Sequence, residues 1–399
     1  MSKKNPSVDL DKRELLVGAA GAAGLAALAG RPTGARADEH ESGQPYEAVS
    51  AARNGEYETV PLRQPNISVA AIQSRVRSVD IRNLKPTLKA NMNHVLKLID
   101  YAQGTPEHFG GERRWGSKKD LICLHEFPIQ GFQPWTRTEL SRVAFELPGP
   151  ESEAIGAKAR EHNCYIAFGC YAKEKDWPDH VINMSVIMGP DGNIVDKQWK
   201  ARNILGLFGE NALIGTTVYD VLDRYVEMYG WDATLPVART DIGNIAMTAV
   251  GLEPMIYQCL ALKGAEILIK SVTGGNNPES AREAARTNRI YTVGVGNAVS
   301  PDNLGFMDAA GSEDEGTVIC DPRGNFLSRT ANHHEDMATA RIPIADFRAT
   351  RRFREIPAAL ILPVLQAYSP LFKPNTFLEQ LPETYKEAGA LVRKRMGME

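Results

Sequence analysis

The chain has 399 residues, 43% of them hydrophobic and 24% charged, a globular composition that excludes a disordered, collagen-like or disulfide-dense protein. Its 46 basic against 49 acidic residues give a formal charge of -3, and no block of like charge forms a nucleic-acid or anionic-membrane footprint. The length admits two or three domains, or a single large α/β sandwich with tails.

Residues 1–37 read as an export signal: Lys3, Lys4, Lys12 and Arg13, then the apolar run from Leu15 to Gly30, then Ala35-Arg36-Ala37 as a small-x-small cleavage site. Lys12-Arg13 before Leu15 resembles a twin-arginine signal with lysine first, so the expected location is periplasmic or secreted. The run is shorter than a spanning helix needs, so no stable membrane insertion is expected after cleavage. Removal of the segment leaves 40 basic against 46 acidic residues and a formal charge near -6. Residues 38–63 are polar and aperiodic, a linker or a surface-wrapping arm.

The fold is expected to start at Ile67. Ile67 to Gln73 is a β-branched run, Lys85 to Ala102 has helical apolar spacing, Leu121 to Leu124 is a short buried strand, Ser152 to His162 is helical, and Tyr165 to Tyr171 is another strand. Two segments share one grammar, Met188 to Val195 and Ile319 to Leu327: a strand, a Pro-x-Gly turn and a returning strand. Between them the spacing predicts a helix from Met255 to Gly264, a strand from Ile267 to Lys270, a helix from Glu279 to Arg289 and a strand from Tyr291 to Asn297. The recurrence implies two related halves, sheets packed on one another with helices outside. Beyond Phe347 the pattern loosens into segments punctuated by Pro357, Pro363, Pro370 and Pro374, an arm over a neighbouring subunit or over the same core. The expectation is one domain, residues 64–350, with a C-terminal arm, residues 351–399.

Polar residues stand at the ends of three apolar strands, where α/β proteins build sites. Glu126 follows Leu121-Ile-Cys-Leu-His125 and suits a general base; Lys200 ends the returning strand of the first hairpin and suits an oxyanion or a polarised carbonyl. The strand from Asn244 to Val250 runs into Gly251-Leu-Glu-Pro254 and a helix, a strand-turn-helix elbow of the kind that exposes a nucleophile. Val250, Gly251, Glu253 and Ser271 are candidate substrate contacts on these strand ends. His125 faces away from Glu126 if the strand alternation continues, and is able to tune it if the strand stops there. Other features read as framework. Arg348, Arg351, Arg352 and Arg354 suit a solvated face or an interface; His333-His334 suit a surface loop; Gly274-Gly275-Asn276-Asn277-Pro278 is the turn that the next helix needs. The five cysteines have no zinc-like spacing, so no metal or other cofactor is expected and burial as thiols is favoured.

These blocks resemble the nitrilase, or carbon-nitrogen hydrolase, superfamily, most closely its amidase branches. The resemblance covers Ile67 to Ala345 and rests on Val69-Ala-Ala-Ile-Gln73, Leu124-His-Glu-Phe-Pro-Ile-Gln-Gly131, Gly192 to Lys200, Ala261-Leu-Lys-Gly-Ala-Glu-Ile-Leu268 and Asp321-Pro-Arg-Gly-Asn325. It implies an α/β fold, a four-layer αββα sandwich, and assembly as a homodimer or a higher homo-oligomer. It implies a small-molecule amide or nitrile as substrate, with Glu126 as general base and Lys200 as the lysine that stabilises the tetrahedral intermediate. Glu210 is the match to a second glutamate after the lysine. The family's cysteine nucleophile has no counterpart, since no cysteine lies between Cys170 and Cys259. Counting forward along the elbow strand puts Val250 at that position, and counting back from Pro254 puts Thr248 there. Thr248 carries a hydroxyl that needs strong activation, while Cys259 lies more than two helical turns beyond Val250 and reads as a buried small side chain. Two functions follow: an amide hydrolase with a replaced nucleophile, or a catalytically inactive relative that binds a ligand or assembles with partners.

Overall fold

The alternation of strand and helix predicted from Ile67 onward is present in the computed structural model, which describes residues 49–75, 77–104, 118–204, 210–250, 253–273, 277–298, 316–332 and 334–398. Residues 1–37, the first part of the linker (38–48), Gly251, Gly274 to Asn276 and His333 lie outside the described residues.

In chain order the first half comprises β1 (Ile67–Gln73), α1 (Leu84–Ala102), β2 (Leu121–Cys123), α2 (Arg137–Val143), β3 (Phe145–Glu146), α3 (Pro150–His162), β4 (Tyr165–Lys173), β5 (Ile182–Met188), β6 (Ile194–Trp199) and α4 (Leu222–Tyr229). The second half comprises β7 (Ala238–Thr240), β8 (Gly243–Thr248), α5 (Pro254–Leu262), β9 (Ile267–Ser271), α6 (Pro278–Asn288), β10 (Tyr291–Val295), β11 (Val318–Cys320), β12 (Phe326–Arg329), β13 (Asp336–Ile342), α7 (Ile344–Thr350), α8 (Ala358–Ala367) and α9 (Tyr385–Arg395).

One sheet runs β13-β1-β2-β4-β5-β6 with β3 on β4, and the other runs β12-β11-β10-β9-β8-β7. The centre of each is parallel, Val69 pairing Leu121, Leu121 pairing Tyr165, and Ile245, Ile267 and Tyr291 standing in register across the second sheet. Alternation along each strand sends its residues to two different cores. On β9, Ile267 and Ile269 join Val69, Ala71 and Leu121 in the core between the sheets, whereas Leu268 packs with Ala246, Tyr257, Leu260 and Ala284 under α5 and α6. On β2, Leu121 and Cys123 face the inter-sheet core and Ile122 the core beneath α1 and α3, to which Val95, Ile99, Ile155 and Ala159 contribute. The order is therefore helix, sheet, sheet, helix.

The two hairpins repeat each other in detail. β5 and β6, like β11 and β12, pair antiparallel with a register shift before the turn, and Gly192 and Gly324 both sit at φ +84°, which a side chain would strain. Asp191 and Asp321 each accept a backbone N–H two residues on, from Asn193 and Arg323.

Ala52 N donates to Leu262 O at 2.6 Å and the Tyr57 hydroxyl to Glu266 at 2.7 Å, so the N-terminal arm wraps the second sheet. Arg348 is no solvated group: its guanidinium forks onto the fully buried Glu266 with two 2.8 Å bonds, and Arg351 reaches the carbonyls of Ala261 and Gly264 between Tyr57 and Phe353. Arg352 and Arg354 remain exposed. The C-terminal arm has two parts: α8 carries Leu360, Leu362 and Val364 at 75, 52 and 68% exposure, while Phe372, Phe377, Ala388 and Val392 are buried in the first core. No helix among the described residues is long and apolar enough to cross a membrane.

Candidate active site

Glu126 is placed by the continuation of β2. Beyond Cys123 the backbone keeps pairing with β4, Leu124 N donating to Ala167 O and Gly169 N to His125 O, and the chain at Glu126 passes so close that a Cβ on Gly169 would lie 2.3 Å from the Glu126 carbonyl oxygen. The segment is then locked by Phe127 stacked on Tyr171 at 4.1 Å and by Gln130, which bonds both backbone groups of Tyr171. Lys200 follows β6, and its backbone N–H donates to Asn183 O on β5 at 2.8 Å, so Asn183 and Lys200 stand opposite each other. The three side chains meet: Lys200 Nζ lies 3.0 Å from Glu126 Oε1, and Asn183 Nδ2 donates to the same oxygen at 2.7 Å.

This cluster is almost dry, with Glu126, Lys200 and Asn183 at 5, 6 and 3% exposure. A buried carboxylate paired to an ammonium and hydrogen-bonded by an amide is held in one geometry, and the price in desolvation is high. Asn183 Oδ1 is left buried with no hydrogen-bond partner among the described residues, an acceptor beside the charged pair. Ser271 closes the other side: its hydroxyl donates to Leu124 O at 3.0 Å, joining the end of β9 to the segment that carries Glu126. The two acids after the lysine differ in placement. Glu210 is exposed and its carbonyl accepts from Arg393 of α9, whereas Asp220 is buried, takes bonds from Thr217 and Asn203, and senses the Lys200 charge. Burial pushes its carboxyl up to about 6.

The elbow residues are distributed differently from the pair. Thr248 ends β8 on the face shared with Ala246, toward α5 and α6, and its Oγ1 accepts from Val250 N at 3.1 Å. Val250 is fully buried hydrocarbon, its carbonyl taking the Tyr257 hydroxyl at 2.5 Å. Glu253 pairs with Arg202, tying the start of α5 to the chain just after Lys200. Cys259, expected to be buried, is exposed on α5, because the inward positions of that helix are Tyr257, Leu260 and Ala261. His125 is fully buried, accepts from Phe127 N through Nδ1, and is held neutral by desolvation, its pKa drawn down to about 3. The structure thus brings Glu126, Lys200 and Ser271 into one neighbourhood, adds Asn183 and Asp220, and sets Thr248, Glu210 and Cys259 elsewhere. Asn183 escaped sequence reasoning because it sits inside the apolar run Ile182 to Met188; a lone amide in such a run was its only signal.

Two stacked sheets with a strand-end glutamate and lysine facing each other define an α/β sandwich with a buried polar centre. Residues 68–352 match the model of the carbon-nitrogen hydrolase family, and the chain belongs to that family. No curated protein matches the sequence. Among solved structures it is similar to the NitFhit protein of Caenorhabditis elegans (17% identity, 81% of this chain and 68% of that one, TM-score 0.54). It is also similar to a carbon-nitrogen hydrolase from Helicobacter pylori (15%, 76% and 95%, TM-score 0.52) and to a mutant amidase from Nesterenkonia sp. in complex with acrylamide (14%, 77% and 100%, TM-score 0.50). At these identities the likeness is one of fold, the four-layer sandwich.

Proposed function

We propose that the protein is an exported, amidase-like member of the carbon-nitrogen hydrolase family that binds a small primary amide at Glu126, Lys200 and Asn183 without covalent turnover. The observation that carries the reading is the buried, unpartnered Asn183 Oδ1 beside the Glu126–Lys200 pair. A carboxamide offers what this arrangement lacks: its N–H₂ donates to Asn183 Oδ1 and its carbonyl accepts from Lys200. Catalysis through a cysteine has no support, because Val250 supplies no heteroatom and Thr248 is turned to the other face of the sheet.

The acrylamide complex of the Nesterenkonia amidase motivates a panel of short amides, with the matching nitriles and carboxylic acids as comparison. Calorimetry on the wild type should show binding of one or more amides, lost in Asn183→Leu and in Lys200→Met, with no ammonia released over hours. Absence of binding across the panel refutes the ligand reading. Ammonia release that disappears in Glu126→Gln transfers the protein to a second class, a hydrolase in which Glu126 directs a water at the amide carbon, a role its fixed geometry allows.

Export is supported by Lys12-Arg13, the apolar run and Ala35-Arg36-Ala37, and is tested by N-terminal sequencing of the protein recovered outside the cytoplasm. Assembly with a second copy is supported by α8, whose Leu360, Leu362 and Val364 are mostly exposed within their own chain.

A further inference from the structure

The face of β9 opposite Ser271 holds a second constellation, independent of the amide reading. Lys270 pairs in register with Thr248 and points with it toward the helix layer, where its Nζ lies 2.6 Å from Ser280 Oγ on the first turn of α6 and 5.0 Å from the centre of the Tyr257 ring. Lys270 is 1% exposed, and no carboxylate among the described residues forms an ion pair with it. A buried ammonium held only by a hydroxyl and an aromatic face is costly, and the same features that make it costly favour the neutral amine. Burial draws its pKa down to about 8, Cys320 being the other group that acts on it. Ser280 and Tyr257 line a cavity of about 580 Å³ whose wall includes Met255, Ile356 and Ile361, with Arg354 at its side.

We propose that Ser280 and Lys270 form a serine–lysine dyad that accepts an acyl group from a small apolar carboxylic ester entering this cavity. A hydroxyl within hydrogen-bond reach of an unpaired amine is the arrangement that activates a serine without histidine. With Lys270 neutral, the 2.6 Å contact reverses and the serine O–H donates to Nζ. Ser280 Oγ then bonds to the ester carbonyl carbon as its proton passes to Lys270. The carbonyl π electrons move to oxygen, with Arg354 as the countercharge on the cavity wall. Collapse of that adduct breaks the bond to the alkoxy group, which leaves as alcohol with the proton from Lys270, and Ser280 remains as an ester. Water, giving its proton to Lys270, bonds to the acyl carbon; the bond from that carbon to Ser280 Oγ breaks, Oγ takes the proton back from Lys270, and the acid leaves. No oxidant, metal or second substrate is required.

The test uses the full-length protein and p-nitrophenyl butyrate. Wild type should release a burst of p-nitrophenolate equal to the protein concentration, and peptide mapping should place the butyryl group on Ser280. Ser280→Ala should remove the burst, and Lys270→Met should slow it by about 100-fold or more, the usual contribution of a general base. Cys259→Ser, which removes the exposed thiol on α5, should leave it unchanged. Absence of a burst, a butyryl group mapped to Cys259 or to a surface lysine, or an undiminished burst in Ser280→Ala overturns the proposal. The mapping on wild type decides the matter even where a variant fails to fold, and no amide enters the assay, so its failure leaves the amide reading untouched.

Discussion

Lys200→Met tests whether the polar centre is the dry ion pair described above. The substitution keeps the length of the side chain and removes the charge, leaving the Glu126 carboxylate with Asn183 Nδ2 as its remaining neighbour in this cluster. At 3.0 Å and an effective dielectric of about 20 the attraction between the charges is roughly 5 kcal/mol. Part of that is offset by desolvation already incurred in the native state, and breaking one side of such a pair costs about 3–5 kcal/mol. With a urea slope of about 3 kcal/mol per M, the unfolding midpoint should fall by roughly 1–1.7 M. Glu126→Gln/Lys200→Met removes both charges, and its loss should be smaller than the sum of the single losses by about 2 kcal/mol or more. A single-variant loss below about 1 kcal/mol, with additive effects in the double variant, would mean that solvent already screens the pair, and the reasoning about a water-poor site would fall with it.

Asp220 has a native pKa of about 6 against an ordinary 3.8, so the folded state holds its proton more tightly than the unfolded chain. Its stabilising contribution is complete below 3.8 and is lost as pH rises through 6; at 1.36 kcal/mol per unit, wild type should lose roughly 3 kcal/mol over that window that Asp220→Asn does not lose, read as the difference between their unfolding free energies at pH 3.5 and 7. Val250→Cys should not restore amide hydrolysis, because a thiol at that fully buried position has its pKa raised as those of Cys123 and Cys170 are; iodoacetamide should label it about 100-fold more slowly than Cys259, and rapid labelling with ammonia release would contradict this. Leu360→Glu/Val364→Glu should shift gel-filtration elution toward the monomer with no fall in melting temperature, since both side chains are exposed within their own chain; a wild type that already elutes as a monomer removes the case for assembly through α8.

What the sequence revealed and what it hid follow from one distinction. Features fixed by local chemistry were legible: the Pro-x-Gly hairpins, because a positive φ at Gly192 and Gly324 demands glycine, and Glu126 and Lys200, because a charge straight after an apolar strand has few places to go. Features fixed by distant partners were not. Arg348 reads as a surface charge until Glu266, 82 residues earlier, is seen beneath it, and α9 shows few apolar positions until Ala388 and Val392 are placed against the first core. Lys270 reads as the polar end of the strand Ile267 to Lys270; only the packing of α6 over it turns a strand-end lysine into a buried one. The C-terminal arm was legible as an arm, and its division into an outward α8 and an inward remainder was not, because proline punctuation marks both parts alike.

The elbow holds its shape through its own hydrogen bonds. Val250 is tied at both backbone groups, its N–H to Thr248 Oγ1 and its carbonyl to the Tyr257 hydroxyl, so both of its backbone polar atoms are satisfied by side chains close in sequence. Those two tying residues, Thr248 and Tyr257, belong to the helix-facing side of the sheet, the side on which Lys270 and Ser280 meet. Glu126 and Lys200 depend on none of them: their positions are set by β2, β5 and β6, with Ser271 bracing the end of β9 against Leu124. The two faces of one strand end are therefore built separately. The charged pair stands between the sheets, and the elbow strand carries Thr248 on the helix-facing side with Lys270.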